Sequence, residues 1–245
     1  MPKVIHDFSN VPITVMEDLR DSDFTLLHDL ILSGNLPSNV AVNFGRDIAL
    51  MLQALAKHDE FETALSASQN YYERGLELRL AYPNKPDYFK ELETRFTSAN
   101  QQLIAVDTHP KNIFVNENGS TAWIDFGFSC WADRDFALPN GLAHIAIYAL
   151  TGHIHSNVAV AFIEQALDAY KQILSVDEEI FCKYLATEVL HRWAGKWIER
   201  VESAEQKLKL LNFAMKVFDQ EIFTVNLLTD HLNDSVKLPG PTLGS

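Results

Sequence analysis

The chain has 245 residues, of which 47% are apolar, enough for one large globular domain or two modest ones. Its 20 basic and 33 acidic side chains give a formal net charge of −13, which argues against nonspecific nucleic-acid binding through a basic face. Two cysteines, no signal-peptide pattern and no apolar run long enough to span a bilayer predict a cytoplasmic protein without a disulfide framework or a membrane partner.

A helical body follows one predicted strand near the start of the chain. Residues 11–19 (VPITVMEDL) predict a β-strand that runs into a turn. Asp21 or Ser22 can cap a helix over residues 24–32, and Gly34 lies just after its end. Apolar side chains then recur every three to four residues, the spacing of an amphipathic helix. The further predicted helices open at Pro37 and cover residues 61–80, 87–103, 140–151, 156–174, 178–200 and 204–230.

Polar side chains frame a predicted hairpin in residues 105–127 (AVDTHPKNIFVNENGSTAWIDFG). Asp107 and Asn112 precede its first apolar run, and Asp125 follows its second. The Asn-Gly pair at positions 118–119 lies between the runs and is a strong hairpin signal, because both residues tolerate a positive φ. A tight hairpin would bring Asn112 and Asp125 side by side, and their oxygen atoms suit Mg²⁺.

The spacing of these three residues points to a reaction. Phosphoryl transfer from a nucleotide needs a carboxylate that orients and deprotonates the attacking hydroxyl, and oxygen ligands that hold magnesium against the phosphates. Asp107 lies five residues before Asn112, and Asp125 lies thirteen residues after it. The alternative is an ordinary surface hairpin flanked by solvated polar side chains. That alternative suits any one of the residues, whereas the combined pattern favours a phosphoryl-transfer site.

Residues 107–112 (DTHPKN) followed by 124–127 (IDFG) resemble the catalytic and metal-binding segments of the aminoglycoside phosphotransferase and choline kinase group. The resemblance implies a protein-kinase-like large lobe, an α+β and mostly helical fold with a small catalytic β-hairpin. It implies ATP as the phosphoryl donor, Mg²⁺ as the cofactor and a hydroxyl of a small molecule as the acceptor. It assigns Asp107 as the catalytic base, His109 as a catalytic residue near the phosphates where protein kinases carry lysine, and Asn112 and Asp125 as Mg²⁺ ligands.

Two neighbouring segments bear on the catalytic loop. Residues 133–137 (DRDFA) are similar to the family's aspartate-containing segment after the metal turn, which usually braces that loop. The family's His-Gly pair before the catalytic aspartate is Ala105-Val106 in this chain. Since the usual histidine is also a structural brace, this departure leaves a noncatalytic protein as an alternative.

The family's adenine-binding hinge is matched by Met16, Glu17, Asp18 and Leu19, and residues 2–7 resemble the strand before it. In this family the backbone after the strand hydrogen-bonds the adenine ring. Within the group, the hinge match is most similar to methylthioribose kinase, which has Asp-x-Glu where this chain has Asp-Phe-Gly. That similarity is a lead to a subfamily only.

The resemblance covers roughly residues 1–151 and predicts how the chain is organised. A small-lobe remnant with the hinge occupies residues 1–19, a helical large lobe 20–235 and a flexible tail 236–245. About ten residues precede the hinge strand, and neither a G-x-G-x-x-G loop nor a lysine-bearing strand for the phosphates is present in the sequence. The chain is therefore expected to be a large lobe with a remnant strand pair.

Late helices wall the acceptor site in such folds, so Glu188 and Arg192 in the predicted helix 178–200 are candidate substrate contacts. Their spacing favours the alternative of a solvated, salt-bridged helix face. The acidic net charge likewise has two interpretations, general solubility or a preference for a cationic substrate. No residue pattern identifies the acceptor.

Two functions therefore follow from the sequence. The first is an ATP-dependent phosphotransferase with Asp107 as its base. The second is a noncatalytic, kinase-like binding protein that lacks the glycine loop and the phosphate lysine. Such a protein would expose the apolar face of its cleft, and this face would bind a partner, either a separately encoded small lobe or a second copy of the chain.

Overall fold

The computed structural model describes residues 4–8, 13–16, 18–19, 23–56, 86–194, 203–219 and 224–237. Its strands are β1 Val4–Phe8, β2 Ile13–Met16, β3 Thr25–Leu26, β4 Gln101–Ile104, β5 Ile113–Val115, β6 Thr121–Trp123 and β7 Cys130–Asp133. Its helices are α1 Leu27–Ser33, α2 Val40–Leu55, α3 Pro86–Ser98, α4 Ala137–Leu150, α5 Ser156–Lys171, α6 Glu178–Ala194, α7 Ala204–Asp219 and α8 Val225–Lys237.

The predicted mostly helical α+β fold is confirmed. Within the described residues, the strands form three small antiparallel sheets, with the orders β1-β2, β3-β5-β6 and β4-β7. The N-terminal strand pair is present, with Val4 opposite Met16 and Phe8 opposite Ile13. The hairpin β5-β6 is also present, with Ile113 opposite Trp123. These sheets are too small to enclose a core of their own, so the helices supply most of the buried surface.

The predicted helix 87–103 is wrong in its last turn. Helix α3 ends at Ser98, and residues 101–104 form strand β4 against β7. Asn100 has a φ of 42°, a conformation that stops a right-handed helix, and the Gln101 side chain donates to the Phe96 and Ala99 carbonyls. The chain therefore reverses at the helix end and returns as a strand.

The other predicted helices are found with shifted limits: α4 begins at Ala137, three residues before its predicted start, whereas α5 ends at Lys171, three residues before its predicted end. The predicted helix 204–230 is two helices, because Thr224 begins a new one: its hydroxyl accepts from the Leu227 backbone N–H at 3.3 Å. The predicted helix 61–80 and residues 195–200 lie outside the described residues. So does most of the predicted flexible tail, since helix α8 reaches Lys237.

Helix α2 packs closely against α5 because it carries a glycine at the crossing point. A Cβ built at Gly45 would lie 1.8 Å from the backbone oxygen of Ala166, so no larger residue fits. Phe44, beside it, is fully buried and contacts the ring of Phe162 edge-on, with the ring centroids 5.5 Å apart. This contact joins two helices that are distant in sequence into one hydrophobic core.

The hairpin β5-β6 is fixed to α2 by polar contacts. Gly119 in its turn has a φ of +75°, and its carbonyl accepts from the buried Asn43 side chain at 2.7 Å. Thr121 donates to Asp47 at 2.6 Å and accepts from the indole of Trp123 at 2.9 Å. The hairpin that carries the predicted site therefore has a fixed position on the helical body.

Helix α4 is buried along its whole length. It packs against α5 and α6 and carries two polar side chains, Asn140 and His144, toward the loop that follows β4. Among the described residues, neither this helix nor any other is long and apolar enough to cross a membrane.

Candidate functional site

The loop that carries Asp107 leaves the core directly from strand β4. Ala105 and Val106 are buried, and the Asp107 side chain after them is 20% exposed. A short 3-10 turn, Pro110–Asn112, then leads the chain into β5. The carboxylate thus lies at the edge of the hydrophobic core, partly exposed to solvent, with its backbone held on both sides.

Asn112 joins this loop to the hairpin. Its Nδ2 donates to the backbone oxygen of Asp107 at 3.0 Å and to the carboxylate Oδ2 at 3.2 Å. The backbone carbonyl of Asn112 accepts from the Ile124 N–H at 3.0 Å, and Asp125 is the next residue after Ile124. Since Nδ2 makes the two bonds to Asp107, the amide Oδ1 is directed elsewhere.

His109 is oriented by the backbone. Its Nδ1 accepts from the Lys111 N–H at 3.0 Å, so a neutral imidazole carries its proton on Nε2. That Nε2 lies 3.7 Å from Asp107 Oδ1, beyond hydrogen-bonding distance. The histidine therefore presents an N–H donor beside the candidate base.

Asp125 is exposed and has a φ of 57°. Few residues other than glycine adopt this left-handed conformation, although aspartate tolerates it when its side chain bonds locally. Here Oδ1 accepts from the Gly127 N–H at 3.3 Å. Backbone strain of this kind is concentrated at functional sites, and here it occurs at an exposed carboxylate just after the hairpin.

The donor set suits a cation that is shared with a substrate. Within the part of the chain that the structure describes, no group of three or more His, Cys, Asp or Glu side chains could hold a metal ion. Asn112 and Asp125 offer oxygen atoms only, and Mg²⁺ is commonly held by one or two such side chains together with the phosphates of a nucleotide. The residues present therefore fit magnesium bound with a nucleotide.

The predicted hinge is described in part. Met16 ends β2, and Glu17 lies outside the described residues. Asp18 is exposed, whereas Leu19 is buried in a small cluster with Phe114 of the hairpin. Leu19 of the predicted hinge therefore packs against the same hairpin that lies between Asn112 and Asp125.

The predicted solvated face of helix α6 is wrong. Glu188 is 2% exposed and Arg192 is 7% exposed. Asn140 donates to Glu188 at 3.0 Å, and Arg192 Nη2 lies 3.4 Å from His144 Nε2. Charged side chains can be buried when polar partners offset their desolvation, and here α4 supplies those partners. Helical charge spacing alone gives no sign of them.

A second buried polar cluster fixes the beginning of β4. Asp133, at the end of β7 and fully buried, accepts from Tyr184 at 3.0 Å and pairs with Arg95 Nε at 2.8 Å. Arg95 also binds Asp135 at 2.7 Å, and the Asn100 amide donates to the same carboxylate at 3.0 Å. Sequence reasoning identified the aspartates but not Arg95, whose position on α3 gives no signal of this role.

This burial has an electrostatic consequence. Removal from water, together with the nearby charge of Asp135, raises the pKa of Asp133 to about 6, against the opposing effects of hydrogen bonding and of Arg95. The carboxylate is still ionised at pH 7, so it requires its cationic partner.

Comparison with known proteins locates the fold. The chain superposes on the amicoumacin kinase hAmiN, solved in complex with AMP-PNP, Ca²⁺ and Ami, with a TM-score of 0.56 and 16% identity over 80% of this chain. The superposition on choline kinase LicA from Streptococcus pneumoniae includes 96% of this chain and 74% of the LicA chain, with 14% identity and a TM-score of 0.45. The superposition on a Plasmodium vivax ethanolamine kinase includes 98% of this chain and 69% of the kinase chain, with 13% identity and a TM-score of 0.45.

The likeness concerns the fold and not the sequence. No protein-family model matches the sequence, and no curated protein matches it significantly. The chain spans 64% of the length of the amicoumacin kinase chain. It nevertheless has a kinase-like fold, as its resemblance to the small-molecule kinases predicted.

Proposed function

We propose that this chain is an ATP- and Mg²⁺-dependent phosphotransferase that acts on a hydroxyl group of a small molecule. One observation carries the proposal: Asn112 bonds to both parts of the candidate site. Its side-chain amide donates to the carboxylate of Asp107, and its backbone carbonyl accepts from the N–H of Ile124, the residue before Asp125. A single residue thus links the candidate base to the hairpin that bears both candidate cation ligands.

Asp107 would act as the general base. Its carboxylate accepts the proton of the acceptor hydroxyl as the hydroxyl oxygen bonds to the γ-phosphorus of ATP. The bond from that phosphorus to the β,γ-bridging oxygen breaks, and ADP leaves with the electron pair. Positioning and electrostatic stabilisation supply most of the rate in such reactions. The bonds from Asn112 to Asp107 serve the positioning.

The other residues would hold the nucleotide. Asn112 Oδ1 and the Asp125 carboxylate would bind Mg²⁺, which neutralises phosphate charge when bound. The Nε2–H of His109 would donate to a phosphate oxygen. Met16, Glu17, Asp18 and Leu19 would bind the adenine ring through their backbone. The nucleotide analogue and divalent cation in the amicoumacin kinase complex support this arrangement by analogy of fold.

The noncatalytic alternative has one observation in its favour. Ala105 and Val106, which replace the family's His-Gly pair, are buried apolar residues behind Asp107. They provide no histidine brace for the loop. In this alternative the chain would bind a ligand, a separate small lobe or a second copy without turnover.

Asp125→Ala is expected to weaken binding of the magnesium-nucleotide complex by about tenfold or more, because it removes the carboxylate ligand of the cation. The free nucleotide should bind the variant and the parent chain equally. Calorimetric titration with ATP, with and without Mg²⁺, measures both quantities.

Glu117→Ala is the matched control, since Glu117 is an exposed carboxylate on the same hairpin. Its loss should leave both affinities unchanged. Equal magnesium-dependent affinity in the Asp125→Ala variant would remove Asp125 from the proposed cation site.

A further inference from the structure

Two polar connections lead from the candidate catalytic loop into the helical core. In the first, Thr108 contacts Asn140 of α4, which contacts Glu188 of α6. In the second, the ring of His109 lies 5.5 Å from the ring of His144, measured between centroids, and His144 contacts Arg192. His144 follows Asn140 by four residues on α4, and Arg192 follows Glu188 by four residues on α6. The four-residue spacing places each pair on one face of its helix.

The first connection has a defined direction. An amide nitrogen donates and a carboxylate oxygen accepts, and the Nδ2 atom of Asn140 donates to Glu188 at 3.0 Å. The Oδ1 atom of Asn140 must then face Thr108. It accepts from the Thr108 hydroxyl at 2.9 Å and from the Thr108 backbone N–H at 3.3 Å. Glu188 and the Thr108 backbone N–H therefore fix the same orientation of the Asn140 amide from opposite ends.

The groups of this connection are removed from water. Thr108 and Glu188 are each 2% exposed, and Asn140 is 1% exposed. A buried carboxylate carries a large desolvation cost, and an apolar side chain would fill the same space without it. The backbone of α4 also approaches the loop closely, because a Cβ at Gly141 would lie 3.0 Å from the Thr108 hydroxyl oxygen. The loop is thus held against α4 by polar bonds over a short distance.

We propose that Glu188 is a positioning residue for the reaction: it orients the Asn140 amide, which holds the Thr108 peptide and so sets the direction of Asp107. This inference rests on the proposed function for its effect on turnover. Its structural part, the hold on Thr108, does not depend on that function.

A donor–acceptor exchange tests the inference. Asn140→Asp alone sets two carboxylates against each other. Glu188→Gln alone removes the charge that holds the Asn140 amide, although the Thr108 N–H still favours Oδ1 on its side. In the double variant, the glutamine at position 188 donates to the aspartate at position 140. The second oxygen of that aspartate still accepts from Thr108, so the double variant restores the connection with its donor and acceptor exchanged.

Two readouts separate the structural part from the catalytic part. Amide hydrogen exchange at Thr108, followed by NMR, reports the hold on the loop without any need for turnover. Asn140→Asp should raise that exchange rate by about tenfold or more and lower kcat by a similar factor, with the KM for ATP unchanged. The double variant should recover both quantities to within about threefold of the parent chain.

Two further variants keep the test sound if Asn140→Asp fails to fold. Thr108→Val removes the hydroxyl donor at nearly constant size and should lower kcat at unchanged KM for ATP. Thr187→Val is the control, because the Thr187 hydroxyl is buried next to Glu188 but donates to the Lys183 carbonyl of its own helix. It should leave both Thr108 exchange and kcat unchanged.

The outcomes distinguish the two proposals. Unchanged Thr108 exchange in Asn140→Asp and Glu188→Gln would overturn the inference even if the parent chain is active. Recovered exchange in the double variant without recovered kcat would also overturn the role of Glu188 in positioning. No magnesium-dependent binding of ATP by the parent chain, with exchange that responds and recovers, would overturn the proposed function but not the hold on the loop.

Discussion

Asp107→Asn is expected to lower kcat by about 10²–10⁴-fold, because an amide cannot take up the proton of the acceptor hydroxyl. The substitution keeps the size of the side chain, and the amide oxygen can still accept from Asn112 Nδ2. The side chain is 20% exposed and lies at the edge of the core, so the fold should be unaffected. Steady-state kinetics of ATP consumption with an acceptor, together with a thermal melt of each protein, measure both expectations.

The control for this substitution is Asp168→Asn, which makes the same chemical change at an exposed position on α5. It should leave kcat and the melting temperature unchanged. Full turnover in Asp107→Asn would exclude Asp107 as the base. Lost turnover together with a lowered melting temperature would assign the effect to folding and count against the proposed role.

Arg95→Met is expected to destabilise the protein by about 3 kcal/mol or more at pH 7, because it leaves the buried carboxylate of Asp133 without its cation. Arg95 binds Asp133, which is fully buried, and Asp135, which is 11% exposed. Methionine keeps the apolar part of the arginine side chain, so lost packing is a smaller part of the change. Urea denaturation measures the free energy of unfolding.

The stability lost in the Arg95→Met variant should become smaller as the pH is lowered. The pKa of Asp133 is raised to about 6 in the folded protein, above its unfolded value, so folding takes up a proton between about pH 4 and pH 6. This group therefore contributes stability at low pH that is lost as pH rises through 6. Without Arg95 the pKa should rise further, and protonation then removes the uncompensated charge. The difference in unfolding free energy between parent and variant should therefore shrink from pH 7 to pH 5.

Arg46→Met is the matched control. The Arg46 side chain is 49% exposed and pairs only loosely with its neighbour Asp47, at 3.3 Å. Exposed pairs of this kind contribute about 0–1 kcal/mol, so a small, pH-independent change is expected. An Arg95→Met variant as stable as this control would show that the cluster around Asp133 does not need its cation.

Local sequence signals predicted the hairpin and the spacing of the candidate site. The Asn-Gly turn and the β-prone runs on either side of it act over about a dozen residues, so tertiary contacts were not needed to find them. The same signals placed Asn112 at the start of the hairpin and Asp125 after its end, as the structure has them. Their roles as Mg²⁺ ligands stay predictions.

Contacts over long sequence distances were not predictable in this way. Strand β4 was predicted as the last turn of a helix, because its partner β7 begins some 26 residues after β4 ends and no local pattern signals the pairing. Glu188 and Arg192 have the spacing of an exposed charged face, and only the polar residues of α4 reveal why they are buried. Such corrections depend on which helices meet, which a single sequence does not specify.

Calorimetric titration of the 245-residue chain with ATP, with and without Mg²⁺, tests the central claim most directly, since it needs no knowledge of the acceptor. The proposed site predicts binding that strengthens markedly when Mg²⁺ is present, with an affinity in the micromolar to low-millimolar range, about −4 to −8 kcal/mol. Absence of any binding, or binding that Mg²⁺ does not change, would contradict a magnesium-nucleotide site at Asn112 and Asp125.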